Sequence, residues 1–269
     1  MFELIRMDLR RACRQGYLFI GMALLIGMML LSYVLMLLVS SPENLSAMAA
    51  QGAEVVADDY AQAERMQNMS VLEYLHGMLF NGAMWLLMTA ELPGVFCTED
   101  FTHGAAKNIF SLLGNPWLYL GARAVSLFVI VAGIEGALFL FALVCKPLSI
   151  FPAWGGTVLD WLQLYGSGLL LGWAMSLCMM FVSILFRREG VTVLLGVILG
   201  CGLLVSALGQ VCRALGWQPL EQWTISARSQ AVGLTFVPAD YAVTLAVCAG
   251  WAAVYLLGSR LVLSWRDLA

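Results

Sequence analysis

The stretch YLFIGMALLIGMMLLSYVLMLLV, residues 17–39, contains no charged residue and no proline. A helix needs about 17–25 residues at about 1.5 Å rise to cross the hydrocarbon of a bilayer, and this run supplies them. Its apolar residues are continuous rather than alternating, and lipid requires every backbone amide and carbonyl to find its partner within the segment. The run therefore predicts a membrane-crossing helix and excludes a barrel strand.

Working outward, further runs of the same kind lie near residues 73–96, 118–145, 161–186, 191–212 and 240–262, each bounded by charges or turn residues. Together they predict an all-α polytopic membrane protein with six transmembrane helices. They use nearly all of residues 1–269, so a single membrane domain is expected and no separate aqueous one. The composition agrees: 61% of residues are hydrophobic and 12% charged, more apolar surface than a water-soluble domain can hide. Ser70 with Glu73 reads as a capping box, and Asn115 with Pro116 as a cap followed by a first-turn proline, each opening a span. Ser41-Pro42-Glu43 starts a helical excursion through the polar, alanine-rich residues 43–68. Ser46-Ala47-Met48-Ala49 resembles a cleavage site, but the apolar run before it exceeds the about 7–15 residues of a signal peptide, so the first span is expected to be retained.

The charges orient the bundle. Arg6, Arg10, Arg11, Arg14, Lys107, Arg123, Arg187, Arg188, Arg260 and Arg266 fall on one side of the predicted spans. Arg65, Lys146, Arg213 and Arg228 fall on the other, with Glu43, Glu54, Asp58, Asp59, Glu64, Glu73, Asp160, Glu221 and Asp240. The positive-inside rule then predicts that both termini are cytoplasmic. Trp154, Trp161, Trp217 and Trp223 fit the outer interface, and Trp117 and Trp265 the inner one. The acidic balance belongs to the outer loops, so no nucleic-acid partner is expected. The seven cysteines show no paired spacing, and no metal site is expected. Cys145 and Cys212 both fall near outer helix ends; a disulfide between them is one reading, isolated buried thiols the other.

Residues 1–16 form an amphipathic interfacial helix: Phe2, Ile5, Leu9, Ala12 and Cys13 share a face, with Arg6, Arg10 and Arg14 stacked beside it at four-residue spacing. The arginines fit a topogenic flank and a docking surface equally well. Between the second and third spans, Phe101, Ala105, Ile109 and Leu112 or Leu113 recur at helical spacing, while Glu99, Asp100, His103 and Lys107 keep the segment out of the bilayer. A short helix is predicted there.

This segment resembles the first cytoplasmic loop of ABC-2-type permeases, the membrane subunits of ATP-binding-cassette exporters. The likeness lies in an acidic residue, Gly104 four positions after Asp100, the basic Lys107, Asn108, and an apolar-serine-apolar run. It departs at Ala105, where threonine is common in the family, and at Trp117-Leu118, where the family has a basic residue; Arg123 is the nearest substitute. The whole plan is similar to that of the small six-span members. The resemblance implies a type V exporter-like bundle in a bacterial plasma membrane. It also implies that Glu99, Asp100, His103, Gly104, Lys107 and Asn108 form a coupling helix seated on a separate cytoplasmic ATPase. A second permease subunit, the same or different, would complete the pathway. ATP and magnesium would bind the partner: a phosphate-binding loop needs Gly-Lys-Ser/Thr, and neither Lys107 nor Lys146 follows a glycine. No catalytic residues and no cofactor are expected in this chain.

Inside the membrane, Glu135 stands near the middle of the third span, where a charge costs on the order of 2.5–3.5 kcal/mol, and it is the candidate for lining a pathway or crossing an interface. A protonated carboxyl bonded to a neighbouring hydroxyl is the other reading. Glu91, just before Pro93-Gly94, reads as an acid snorkelling at a kink. His76 reads as a tolerated interfacial residue. Gly168 with Gly172 and Gly196 with Gly200 have the spacing that lets helices approach, within a subunit or between subunits. An ATP-independent channel or membrane scaffold needs the same spans and stays open; an intramembrane enzyme has thinner support, with only two histidines and no nucleophile elbow.

Overall fold

The computed structural model describes residues 1–39, 41–51, 57–81, 84–106, 109, 115–145, 151–216 and 223–265, and among these every regular element is a helix. Local chemistry sets the helix ends. α1 (Phe2–Arg14) stops where Gln15 turns extended, and α2 (Gly16–Val39) begins at once. α3 (Pro42–Ala50) starts on Ser41, whose hydroxyl accepts the Asn44 amide at 3.1 Å, and α4 (Ala57–Gln67) follows it, so most of the described residues of the polar excursion are helical, as expected. The Ser70–Glu73 capping box is formed at α5 (Val71–His76). It does not open an unbroken span: α5 passes into a π-helical turn, Gly77–Asn81, and α6 runs from Met84 to Thr102.

Asn115 accepts the Trp117 amide at 2.9 Å and starts α7 (Pro116–Cys145). α8 (Val158–Phe186) opens on a second capping box, Thr157 with Asp160. α9 (Glu189–Gly200) and α10 (Leu203–Ala214) meet at a 56° bend, so the segment expected as one span over 191–212 is broken. The break sits at Gly202, whose φ of 70° is open to glycine and strained for other residues. α11 (Ile225–Gln230) is short, and α12 (Pro238–Trp265) is the last helix described. Four helices, over Gly16–Leu35, Pro116–Val144, Val158–Phe186 and Pro238–Trp265, are long and apolar enough to cross a membrane, and a fifth if α9 and α10 count as one. The chain is an apolar, all-helical membrane protein.

α8 lies at the centre. It runs parallel to α6, because Ser176 reaches the Thr89 carbonyl and Ser183 the Gly94 carbonyl. The Ser176 bond has a specific cause: Pro93 has no amide to give to Thr89, and the α8 hydroxyl fills that vacancy at 3.0 Å. α7 runs the other way, with Trp173 bonded to the Ala124 carbonyl while Glu135 packs on Gly168. α2 and α9 are also antiparallel to α6: Gly21 meets Leu92 whereas Ser32 meets Met78, and Thr192 meets Thr98 whereas Gly200 meets Leu87. α12 runs parallel to α8, with Tyr241 against Gly166 and Phe181 against Gly258. The long elements therefore alternate in direction along the chain.

The paired glycines are spent inside the chain. A Cβ on Gly172 would lie 3.0 Å from Thr89 and Val131, and one on Gly200 would lie 2.7 Å from the Leu87 Cα. Where α5 and α8 begin, Asp160 accepts the Phe236 amide at 2.7 Å, Gln163 bonds Gly233 and Val237, and His76 bonds the Val232 carbonyl at 2.8 Å. These bonds tie residues 232–237 over that end of the bundle.

Candidate functional site

At the other end, three helices converge on a cluster of buried charge. α1 brings Asp8 and Arg11 on one side of its cylinder, α6 brings Phe96 and Asp100 from its last turns, and α7 brings Tyr119, Arg123 and Ser126 from its first. Asp8 is 1% exposed, and Asp100 and Arg123 are 0% exposed. Arg123 faces both carboxylates: its Nη1 is 2.9 Å from Asp8 Oδ1, and its Nη2 is paired with Asp100. Arg11 pairs with Asp100 as well and donates to the Phe96 carbonyl at 2.8 Å. Tyr119 donates to Asp100 at 2.9 Å, and the Ser126 hydroxyl lies 3.1 Å from Asp8. The Phe96 ring carries both guanidiniums, with Arg11 at 4.3 Å and Arg123 at 4.6 Å from its centroid. Next to this group Gln15 bonds Glu99.

Two arginines and two aspartates make the cluster neutral, which is what a low-dielectric site demands. Burial lifts the Asp8 carboxyl above its ordinary value, and the charges of Arg123 and Arg11 pull against that rise. The arrangement clamps an N-terminal helix to two helices of the bundle through directional contacts.

This placement changes the role of one proposed coupling residue. Asp100, expected at an exposed surface, points inward and is consumed by Arg123, Arg11 and Tyr119. Glu99 is half-buried against Gln15, while His103 and Gly104 are exposed. Residues 98–102, expected to belong to a separate short helix, are the last turns of α6, and Gly104 leaves them with φ 70°. Lys107 and Asn108 lie outside the described residues, as does the Cys145 side chain of the suggested disulfide; Cys212 is a buried thiol. On α1, Arg6, Arg10 and Arg14 are exposed as expected, but the face turned inward is that of Asp8 and Ala12, while Phe2 and Cys13 stay exposed.

Asp8 is the residue that reading the sequence missed. A single acid among four arginines, three positions before Arg11, was the signal. Arg123 was read as a topological charge and as the nearest substitute for a basic residue after the loop, because nothing local shows that its helix turns it inward.

Glu135 is fully buried, and among the described residues neither of its carboxylate oxygens has a hydrogen-bond partner. It fits because Gly168 has no side chain: a Cβ there would be 2.1 Å from Glu135 Oε1. Glu91, read as an acid snorkelling at a kink, lies half-buried against Gly196. Replacing Glu135 with methionine, of similar length, removes a buried polar group that has no partner among the described residues, and is expected to raise stability by about 1–3 kcal/mol. Thermal unfolding of the purified protein in detergent, followed by tryptophan fluorescence, checks this. A loss of stability instead would reveal a partner for the carboxylate.

These features define a helical membrane protein whose amphipathic N-terminal helix is locked to the bundle by buried charge. The chain matches no family model, no curated protein and no solved structure.

Proposed function

We propose that this chain is the permease subunit of an ATP-binding-cassette exporter of the ABC-2 kind, a six-span bundle driven by a separate ATPase and paired with a second permease. The observation that carries the reading is the charge cluster. It joins α1, the end of α6 and the start of α7 into one block, and the segment that resembles a coupling loop departs from that block at Gly104. A push on that segment reaches two crossing helices at once, since ion pairs in an apolar site resist being drawn apart.

The alternating helix directions support six crossings, with residues 71–102 counted as one interrupted crossing and α9 with α10 as another. An even number puts both termini on one side, the cytoplasmic side by the arginine bias of a bacterial plasma membrane. With Asp100 inward, the surface offered to the ATPase centres on His103 and Gly104, with Lys107 and Asn108 beyond. ATP and magnesium belong to that partner.

Purifying the tagged chain from its native membrane is expected to bring an ATP-hydrolysing subunit with it. Gly104→Ala with Lys107→Ala is expected to lower ATP hydrolysis by the complex about tenfold, or about 1.4 kcal/mol in the barrier, while the chain stays in the membrane. A purified chain that transports with no ATPase present would overturn the reading.

A further inference from the structure

Two features of α1 that the charge cluster does not use lie side by side. The first is a basic concavity of about 550 Å³ on its exposed side, lined by Arg6, Arg10 and Arg14 together with Arg11, Met7 and Glu3. Arg11 is committed to Asp100, whereas Arg6, Arg10 and Arg14 have no ion pair among the described residues. The second is an apolar groove of about 270 Å³ between α1, α2 and α7, walled by Leu9, Cys13, Phe19, Met22, Ile130 and Gly133. No atom lies within 4 Å of the position a Gly133 Cβ would occupy, so the groove is open there.

Helix geometry makes the two continuous. At 3.6 residues per turn, Arg6 and Arg10 follow Cys13 around α1 by about 20° and 60°. A molecule laid across this edge meets hydrocarbon walls with one part and guanidiniums with the other. A soluble anion has no use for the groove, and an apolar helix has none for the arginines. An amphiphile with a phosphate uses both, since guanidinium forks match phosphate oxygens and a groove beside a membrane-crossing helix takes a chain already in the bilayer.

We propose that this edge of α1 binds an anionic glycerophospholipid of the leaflet in which α1 lies, with its phosphate on Arg6, Arg10 and Arg14 and an acyl chain in the groove over Gly133. The lipid then holds α1 from the side opposite Asp8. The inference rests on membrane embedding alone, so its failure leaves the ATPase reading untouched.

The test is native mass spectrometry of the full chain in detergent, titrated with phosphatidylglycerol, with phosphatidylcholine of the same acyl chains, and with glycerol phosphate. Phosphatidylglycerol is expected to be retained selectively, with binding weakened by added salt. Arg6→Gln, Arg10→Gln and Arg14→Gln are each expected to weaken it by roughly fivefold, leaving phosphatidylcholine unchanged. Gly133→Leu, whose Cβ enters open space at the groove, is expected to weaken phosphatidylglycerol binding while leaving its salt dependence intact. Equal retention of the two lipids by the unaltered chain overturns the proposal without any variant having to fold. So does an undiminished phosphatidylglycerol preference in the triple glutamine variant, or no effect of Gly133→Leu. Glycerol phosphate bound as tightly as phosphatidylglycerol would make this a soluble-anion site and equally overturn the lipid assignment.

Discussion

Arg123→Met is expected to destabilise the protein by about 3–5 kcal/mol, because it strands the Asp8 carboxylate in an apolar site and takes one of the two arginines from Asp100, while preserving much of the buried volume. Asp8 loses its partner at 2.9 Å, and Asp100 keeps only Arg11 and the Tyr119 hydroxyl. With the arginine gone, only Arg11 and the Ser126 hydroxyl still oppose the rise that burial imposes on Asp8, and that carboxyl shifts further upward. Adding Asp8→Asn to Arg123→Met removes the uncompensated charge, since Asp100 stays paired with Arg11, and is expected to restore part of the loss, as breaking a buried pair costs more than replacing it whole. Chemical unfolding in detergent measures the energies, and hydrogen exchange over residues 2–14 reports whether α1 loosens. A cost below about 1 kcal/mol, the range of exposed pairs, would mean that the cluster is solvated, and the clamp on α1 would lose its physical basis.

The second large effect is at Gly200. A methyl there would stand 2.7 Å from the Leu87 Cα, 3.1 Å from its amide nitrogen and 3.3 Å from the Leu86 carbonyl. These are backbone atoms that no rotamer change can move, so Gly200→Ala must push α9 away from α6. It is expected to cost about 1–3 kcal/mol, the range for overpacking. Gly168→Ala has the shorter clash, 2.1 Å, but against the end of the Glu135 side chain, which can swing aside. Gly250→Ala on α12 is the control: nothing lies within 4 Å, and replacing a mid-helix glycine is expected to gain up to about 1 kcal/mol. Melting temperatures of the three variants in one detergent give the order directly. If Gly200→Ala melted no lower than Gly250→Ala, the close approach of α9 and α6 would be wrong.

Much of the fold is legible in the chain because its causes are local. The Ser70–Glu73 box and the Asn115–Pro116 cap form through residues within one turn, and both appear as read. The runs at 17–39, 118–145, 161–186 and 240–262 are helices for the same reason, since hydrocarbon leaves an uninterrupted apolar segment few other ways to satisfy its backbone. The region around 73–96 was harder to read. Its apolar content does not show the π turn at Gly77–Asn81 or that α6 continues through Glu99 and Asp100, because those acids are accommodated by distant residues. The bend between α9 and α10 escaped for a related reason: Gly202 is one glycine among twenty-six, and nothing in the sequence marks it as one whose φ is positive.

The sequence by itself determined that this is an apolar, helical membrane protein with a basic amphipathic helix at its start, because hydrophobic run length and helical periodicity act along the chain. Only the tertiary structure decided which charges face inward. Asp8, Asp100 and Arg123 lie far apart in sequence, and each is tolerable in a dry interior only while the others are within a few ångströms, a condition that exists once α1, α6 and α7 have packed.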